Sequence, residues 1–180
     1  MNKEYIKCKN DIQYFMETYC MIRTPYEYQL IKLYNKQKEC LVEYQNKEYS
    51  YIKLHRQKYG ISTISMLYIL HYALFELEEG KIIITSHNHK SAILLFDILR
   101  TVINNLPNNI NVKLTVNKID GISFNSVDIV YSPVNSLSKY FKKDVKLVYF
   151  DNYEYYDSKL MNEYDVVGNF EGKMIMTSTY

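Results

Sequence analysis

Tyr51-Ile52-Lys53-Leu54-His55-Arg56-Gln57-Lys58-Tyr59-Gly60-Ile61-Ser62-Thr63 runs from an alternating strand, through a polar loop with one glycine, into a long helical pattern. A phosphate-binding loop needs that order, because backbone N–H groups and the positive end of a helix must converge on an anion. Such a loop also uses a hydroxyl for Mg²⁺ and a lysine for the β- and γ-phosphates. Ser62 stands at the hydroxyl position, but Ile61 stands where that lysine would be. The stretch also reads as an ordinary strand-to-helix connection capped by Ser62 or Thr63.

Working outward, the chain alternates strand and helix. Residues 81–85, 112–116, 127–131, 146–150 and 173–177 are short apolar runs, the pattern of buried strands. Residues 62–79 and 89–105 read as helices, the first closed by Gly80 and the second by Leu106-Pro107. Strands separated by helices predict a parallel sheet with helices on both faces, and ligands at the carboxyl ends of the strands. Val145-Lys146-Leu147-Val148-Tyr149-Phe150-Asp151-Asn152 is the most apolar strand and ends in a carboxylate. That suits a Mg²⁺ site as well as a simple helix cap. Lys173-Met174-Ile175-Met176-Thr177-Ser178-Thr179 ends in hydroxyls that suit a γ-phosphate sensor or a turn. Upstream, residues 10–21 predict a helix capped by Asn10 or Asp11, and Pro25 predicts the start of another, to about residue 39. Residues 40–44 and 49–54, with four polar residues between, predict an antiparallel hairpin.

Composition excludes several classes. In 180 residues, 47% are hydrophobic and 23% charged, as in a globular domain. The net charge of +2 makes no electrostatic case for tight, unassisted nucleic-acid binding. The 20 tyrosines, with many Ile, Lys and Asn, read as the bias of an AT-rich genome rather than as stacking chemistry. Cys8, Cys20 and Cys40 lack disulfide-framework or zinc spacing, and His55, His71, His87 and His89 match no ligand motif. The N-terminus carries charges and no long apolar run, unlike a signal peptide, and no apolar stretch reaches the roughly 20 residues of a membrane span.

The ordered parts resemble the N-terminal ATPase region of the large terminase subunit, the DNA-packaging motor of tailed bacteriophages. Asp11 to Cys20 is similar to the family's opening helix, and Tyr26-Glu27-Tyr28-Gln29 to its adenine-reading segment. His55-Arg56-Gln57 with Gly60-Ile61-Ser62-Thr63 resembles its phosphate loop. Ile83 to Ala92 resembles the strand-to-helix segment that follows, Leu147 to Asn152 the Walker B strand, and Ile175 to Thr179 the coupling motif.

The resemblance implies a three-layer, P-loop NTPase-like α/β fold with a mainly parallel sheet. Residues 1–39 would form an N-terminal helical segment and residues 40–180 a truncated ATPase-like core, without a nuclease domain. ATP and Mg²⁺ are the implied cofactors. Tyr28 and Gln29 would read adenine. Gln57, Lys58, Tyr59, Gly60 and Ile61, with Ser62 and Thr63, would cradle the phosphates. Arg56 would stabilise charge, Ser62 and Asp151 would hold Mg²⁺, and Thr177, Ser178 and Thr179 would couple nucleotide state to the rest of the fold. Implied partners are terminase or portal components of a phage particle, with duplex DNA only within that assembly and no membrane, in the host cytoplasm.

Some members of the family carry an apolar residue after the glycine, as Ile61 is here, and take the lysine from upstream, a place Lys53 or Lys58 would have to fill; further departures qualify the family's chemistry. Two residues, Lys58 and Tyr59, separate Arg56-Gln57 from Gly60, where the family usually has one. Asn152 follows Asp151 where the family usually has a second acid; Glu154, the catalytic candidate to replace that acid, would share the face of Asn152 if the strand continued. With Ile61 in place of lysine as well, turnover by the isolated chain is expected to be weak or absent. A non-hydrolysing regulator or inhibitor of the packaging motor is the alternative.

Overall fold

A computed structural model describes residues 3–53, 60–108, 110, 112–140, 144–156 and 170–178. Helices α1 (Lys3–Asn10) and α2 (Ile12–Tyr19) open the chain, with Asp11 capping α2 by accepting from Tyr14 N at 2.8 Å. Strands β1 (Met21–Arg23) and β2 (Tyr28–Leu30) form a small antiparallel hairpin. Then come α3 (Asn35–Asn46), β3 (Tyr49–Lys53), α4 (Ile61–Phe75), β4 (Gly80–Ser86) and α5 (His89–Asn105). Strands β5 (Leu114–Lys118), β6 (Gly121–Phe124), β7 (Val127–Tyr131), β8 (Val145–Asp151) and β9 (Lys173–Ser178) complete the set.

Seven strands form the main sheet in the order β3-β9-β8-β4-β7-β6-β5. The five from β3 to β7 run parallel, and β6 and β5 are antiparallel additions at one edge. β8, between β9 and β4, is an interior strand, as its apolar run predicts.

The strand period of two sorts side chains between two cores. Ile82, Ile84, Leu147, Tyr149 and Ile175 pack with α2, α3, α4 and α5 in the larger core. Ile83, Val148, Phe150 and Met174 face the opposite side. There, among the described residues, the cover is not an α-helix but a 3₁₀ turn, Val134–Lys139, together with Phe170. Among the described residues, the expected helices cover one of the two faces. Almost every residue of α4 is buried, because neighbours surround it rather than flank it. Each fully buried aliphatic side chain there contributes roughly 1.5–3 kcal/mol.

Two predicted elements are replaced. The predicted hairpin strand 40–44 lies within α3. Gln37, Cys40, Leu41 and Tyr44 are its buried residues, a helical spacing, and Tyr44 donates to or accepts from Ser65 at 2.9 Å inside the core. The predicted helix from Pro25 is a hairpin turn instead. Thr24 Oγ1 donates to Glu27 O at 2.8 Å and accepts from Glu27 N at 3.1 Å, closing the turn around Pro25. The predicted hairpin would pair 40–44 with β3; α3 packs beside β3 instead, and no strand pairs with that edge among the described residues.

α4 also ends earlier than predicted, at Phe75, so the Glu-rich segment before Gly80 lies mostly beyond the helix. Gly80 opens β4 at φ +130, where an added Cβ would fall 2.8 Å from the Lys146 side chain. Of the histidines outside the phosphate loop, His71 is a core residue, bonded through Nε2 to Cys8 O at 2.9 Å, and His87 and His89 are exposed.

Candidate nucleotide site

The carboxyl ends of β4, β8 and β9 converge on the N-terminus of α4. Leu147, Tyr149 and Asp151 occupy one face of β8, the face turned toward the helices. That brings the terminal carboxylate of β8 to the first turn of α4. Ser62 Oγ donates to Asp151 Oδ1 at 2.8 Å, although 89 positions separate the two residues. Tyr149 OH donates to the same oxygen at 2.9 Å. Asn152 Nδ2 donates to Oδ2 at 2.9 Å, and Ser86 Oγ reaches it at 3.5 Å. β4 supplies Ser86, which pairs in register with Asp151.

Asp151 is only 3% exposed. Burial pushes its carboxyl above the ordinary range, and the hydrogen bonds from Ser62 and Tyr149 oppose that shift. Tyr149 is fully buried, and burial together with the neighbouring charge of Asp151 raises its phenol well above the usual value. Its hydroxyl also lies 3.0 Å from Thr177 Oγ1 on β9. Thr177 and Ser178 are both buried at the end of that strand.

Gly60 precedes α4 in the left-handed conformation, φ +60, which favours glycine. Among the described residues no side chain caps α4, whereas Asp11 caps α2 and Asn88 caps α5. The first-turn N–H groups of α4 therefore have no capping side chain there. Ile61 is 5% exposed and belongs to the larger core, so the position that the common P-loop pattern gives to lysine is a packing position here.

The predicted site residues separate into three sets. Gly60, Ile61, Ser62, Asp151, Thr177 and Ser178 converge as described. Arg56, Gln57, Lys58, Tyr59 and Thr179 lie outside the described residues. Tyr28 and Gln29 sit on β2, where Gln29 pairs with Ile22 and Tyr28 with Arg23. Tyr28, Arg23 and Thr63 line one cavity of about 730 Å³ between the hairpin and α5, with Ile98 and Arg100; Gln29 is exposed and is not among its lining residues.

The condition under which Glu154 would share the face of Asn152, a strand continued that far, is not met. β8 ends at Asp151, Asn152 adopts φ +52, and Glu154 lies in the 3₁₀ turn Tyr153–Tyr155. Sequence reading missed Tyr149 and Ser86. The signal for Tyr149 was a hydroxyl-bearing residue two positions before Asp151, hence on its face of an otherwise apolar strand.

Ser62 and Asp151 offer a hydroxyl and a carboxylate, both hard oxygen donors. Mg²⁺ takes one or two protein oxygens and completes its shell with water and phosphate, so this pair fits it. Among the described residues no three His, Cys, Asp or Glu side chains form a metal cluster.

No protein-family model matches the chain. Solved structures do. The large terminase of bacteriophage HK97 superposes with a TM-score of 0.68 at 15% identity, over 95% of this chain and 37% of that one. The large terminase of a thermophilic bacteriophage, in complex with ADP, gives 0.59 at 11% identity over 82% and 39%. The UvsW helicase of bacteriophage T4 gives 0.62 at 14% identity over 94% and 59%. The chain thus has the P-loop NTPase-like fold that terminase ATPase domains share with helicases, and it spans little more than a third of the two terminases.

Proposed function

We propose that the chain is a terminase-type ATPase domain of a viral DNA-packaging machine, binding Mg²⁺-ATP at the N-terminus of α4. The observation that carries this reading is the 2.8 Å bond from Ser62 to Asp151, which joins the phosphate-loop hydroxyl to the carboxylate ending β8. In the site proposed here, the first-turn N–H groups of α4 bind phosphate oxygens. Ser62 and Asp151 hold the metal, which when bound neutralises phosphate charge. Arg56 is assigned to charge stabilisation, Gln57 to Tyr59 to the phosphate cradle, and Thr177 to Thr179 to coupling. Tyr28 offers an aromatic wall to the base, with Gln29 as its polar reader. Residues 1–39 form an N-terminal helical segment that carries the adenine reader, and 40–180 the ATPase-like core. Partners are terminase or portal components in the host cytoplasm, with duplex DNA only inside that assembly. No helix among the described residues is long and apolar enough to cross a membrane.

A non-hydrolysing regulator of the motor is favoured by Asn152. Its amide donates to Asp151 Oδ2 at 2.9 Å, and an amide cannot accept a proton from the attacking water. With Ile61 also packed into the core, positioned charge, a main source of rate in phosphoryl transfer, is reduced.

Calorimetric titration with a non-hydrolysable ATP analogue, in Mg²⁺ and in chelator, tests the binding claim. Tighter binding in Mg²⁺, reduced about tenfold by Ser62→Ala, is expected from loss of one bond to a charged group. No binding by the unmodified chain would overturn it. Phosphate release near background, rising with Ile61→Lys plus Asn152→Glu, is the expected turnover result.

A further inference from the structure

Asp151 is saturated. An ionised carboxylate offers about four lone-pair sites. Ser62 and Tyr149 donate to one oxygen, and Asn152 and the longer Ser86 contact to the other. Any further donor, such as a water in a metal's shell, must displace one already there. The Tyr149 contact has a consequence the others lack, because its oxygen also touches Thr177 on the next strand.

A phenol has one proton. While Tyr149 gives it to Asp151, its oxygen can only accept at Thr177, so Thr177 must donate. The Thr177 hydroxyl has a second acceptor in reach, the Phe150 carbonyl at 3.4 Å. Two discrete patterns follow. In one, Thr177 donates to Tyr149 and Tyr149 to Asp151. In the other, Asp151 has released Tyr149, Tyr149 donates to Thr177, and Thr177 donates to Phe150 O. All the atoms involved are buried, so water does not blur the two patterns.

We propose that Tyr149 is a positioning residue that reports occupancy of the Ser62–Asp151 pair to the carboxyl end of β9 through Thr177. This rests on the nucleotide reading above and adds to it the element that carries the signal. Both strands are rigid, being interior and paired on both sides, so a change of hydrogen-bond pattern at β8 passes to β9 without a large movement. The side chain needs its hydroxyl for this, while its ring supplies packing.

Tyr149→Phe removes the oxygen and keeps the ring. The quantity to measure is the ratio of analogue affinities with Mg²⁺ and with chelator. A purely structural defect lowers both affinities by one factor and leaves the ratio unchanged. Loss of the bond to Asp151 that a metal's shell must otherwise displace should raise the ratio about tenfold. Amide hydrogen exchange over residues 173–178 is the second readout. Mg²⁺-nucleotide should change it in the unmodified chain and in Thr177→Ser, and should not in Tyr149→Phe or Thr177→Val. An unchanged ratio, with exchange in Tyr149→Phe still responding, overturns the inference and leaves nucleotide binding intact. Failure of the unmodified chain to bind the analogue overturns the nucleotide reading and this inference with it.

Discussion

Asp151 carries a conflict between stability and site chemistry. Its carboxyl is raised above the ordinary range because burial outweighs the bonds it accepts, so the ionised form is costly in the free chain. Asparagine would keep an acceptor oxygen for Ser62 and Tyr149 without the charge, and the Asn152 amide can rotate to meet it. Asp151→Asn should therefore hold or raise Tm at pH 7, by about 2–4 °C for each kcal/mol in a chain of this size, while abolishing the Mg²⁺ effect on nucleotide binding. Calorimetry reads the first and titration the second; a lower Tm would mean the hydrogen bonds outweigh burial. Glu4 shows the opposite sign. It accepts from Tyr14 and Tyr19, both at 2.7 Å, and the bond from Tyr19, then that from Tyr14, holds its carboxyl below the ordinary range. A depressed folded value stabilises the fold above the unfolded one, and that contribution disappears as pH falls through the folded value. Glu4→Gln should lower Tm at pH 7, with the deficit closing as the pH drops below the usual carboxylate range. A deficit that stays constant with pH would remove the charge from the explanation.

Among the helices, α5 shows local signals agreeing with the fold. Its predicted and observed bounds coincide, His89–Asn105, and Asn88 caps it by accepting from Ser91 N at 2.8 Å. Asn88→Ala should cost about 1 kcal/mol in chemical denaturation, the usual value of such a cap. α4 begins differently, after a glycine at φ +60 whose added Cβ would also meet Gln37 Nε2 at 3.4 Å. Gly60→Ala should cost roughly 1–2 kcal/mol from the left-handed backbone and should weaken analogue binding by displacing the first turn. A neutral effect on both would show that the turn tolerates rearrangement. α3 shows the converse case. Cys40-Leu41-Val42 carries a strand-like composition, yet Leu41 and Tyr44 pack against α4 only on a helix, and burial overrides propensity.

The order of the sheet sets how cooperatively the molecule opens. β4 and β8 lie in its interior with side chains buried on both faces, whereas β5 is an edge strand with mostly exposed side chains. Amide exchange should be slowest over Ile82–Ile84 and Leu147–Phe150, approaching the global unfolding free energy, and fastest in β5 and the β1–β2 hairpin. Equal protection across all strands would contradict this ordering. At the other end, β3 pairs only with β9 among the described residues, and Tyr49 and Tyr51 are exposed on it. Arg100, one of three arginines, ties α5 to the opposite edge by donating to Asn117 Oδ1 at 3.0 Å and to the Lys118 carbonyl.

Periodicity and punctuation alone were enough for α5, β7, the interior strand ending at Asp151 and the parallel α/β class. Those elements are locally consistent: a cap, an apolar period and a stop all agree over a few residues. Gly60-Ile61-Ser62 and Asp151 could likewise be picked out as strand ends and a helix start. Other features depended on contacts between distant residues. Nothing near Cys40 says that α4 will need a helical neighbour, and nothing near Thr24 says that its hydroxyl will close a turn rather than cap a helix. The four-donor shell of Asp151 is assembled from α4, β4, β8 and the turn after it. The bond of Tyr149 to Thr177 exists because parallel pairing sets β8 beside β9 in one register. Side-chain hydrogen bonds between such remote positions depend on strand order and register, and those are set by burying the whole sheet rather than by any short stretch of chain.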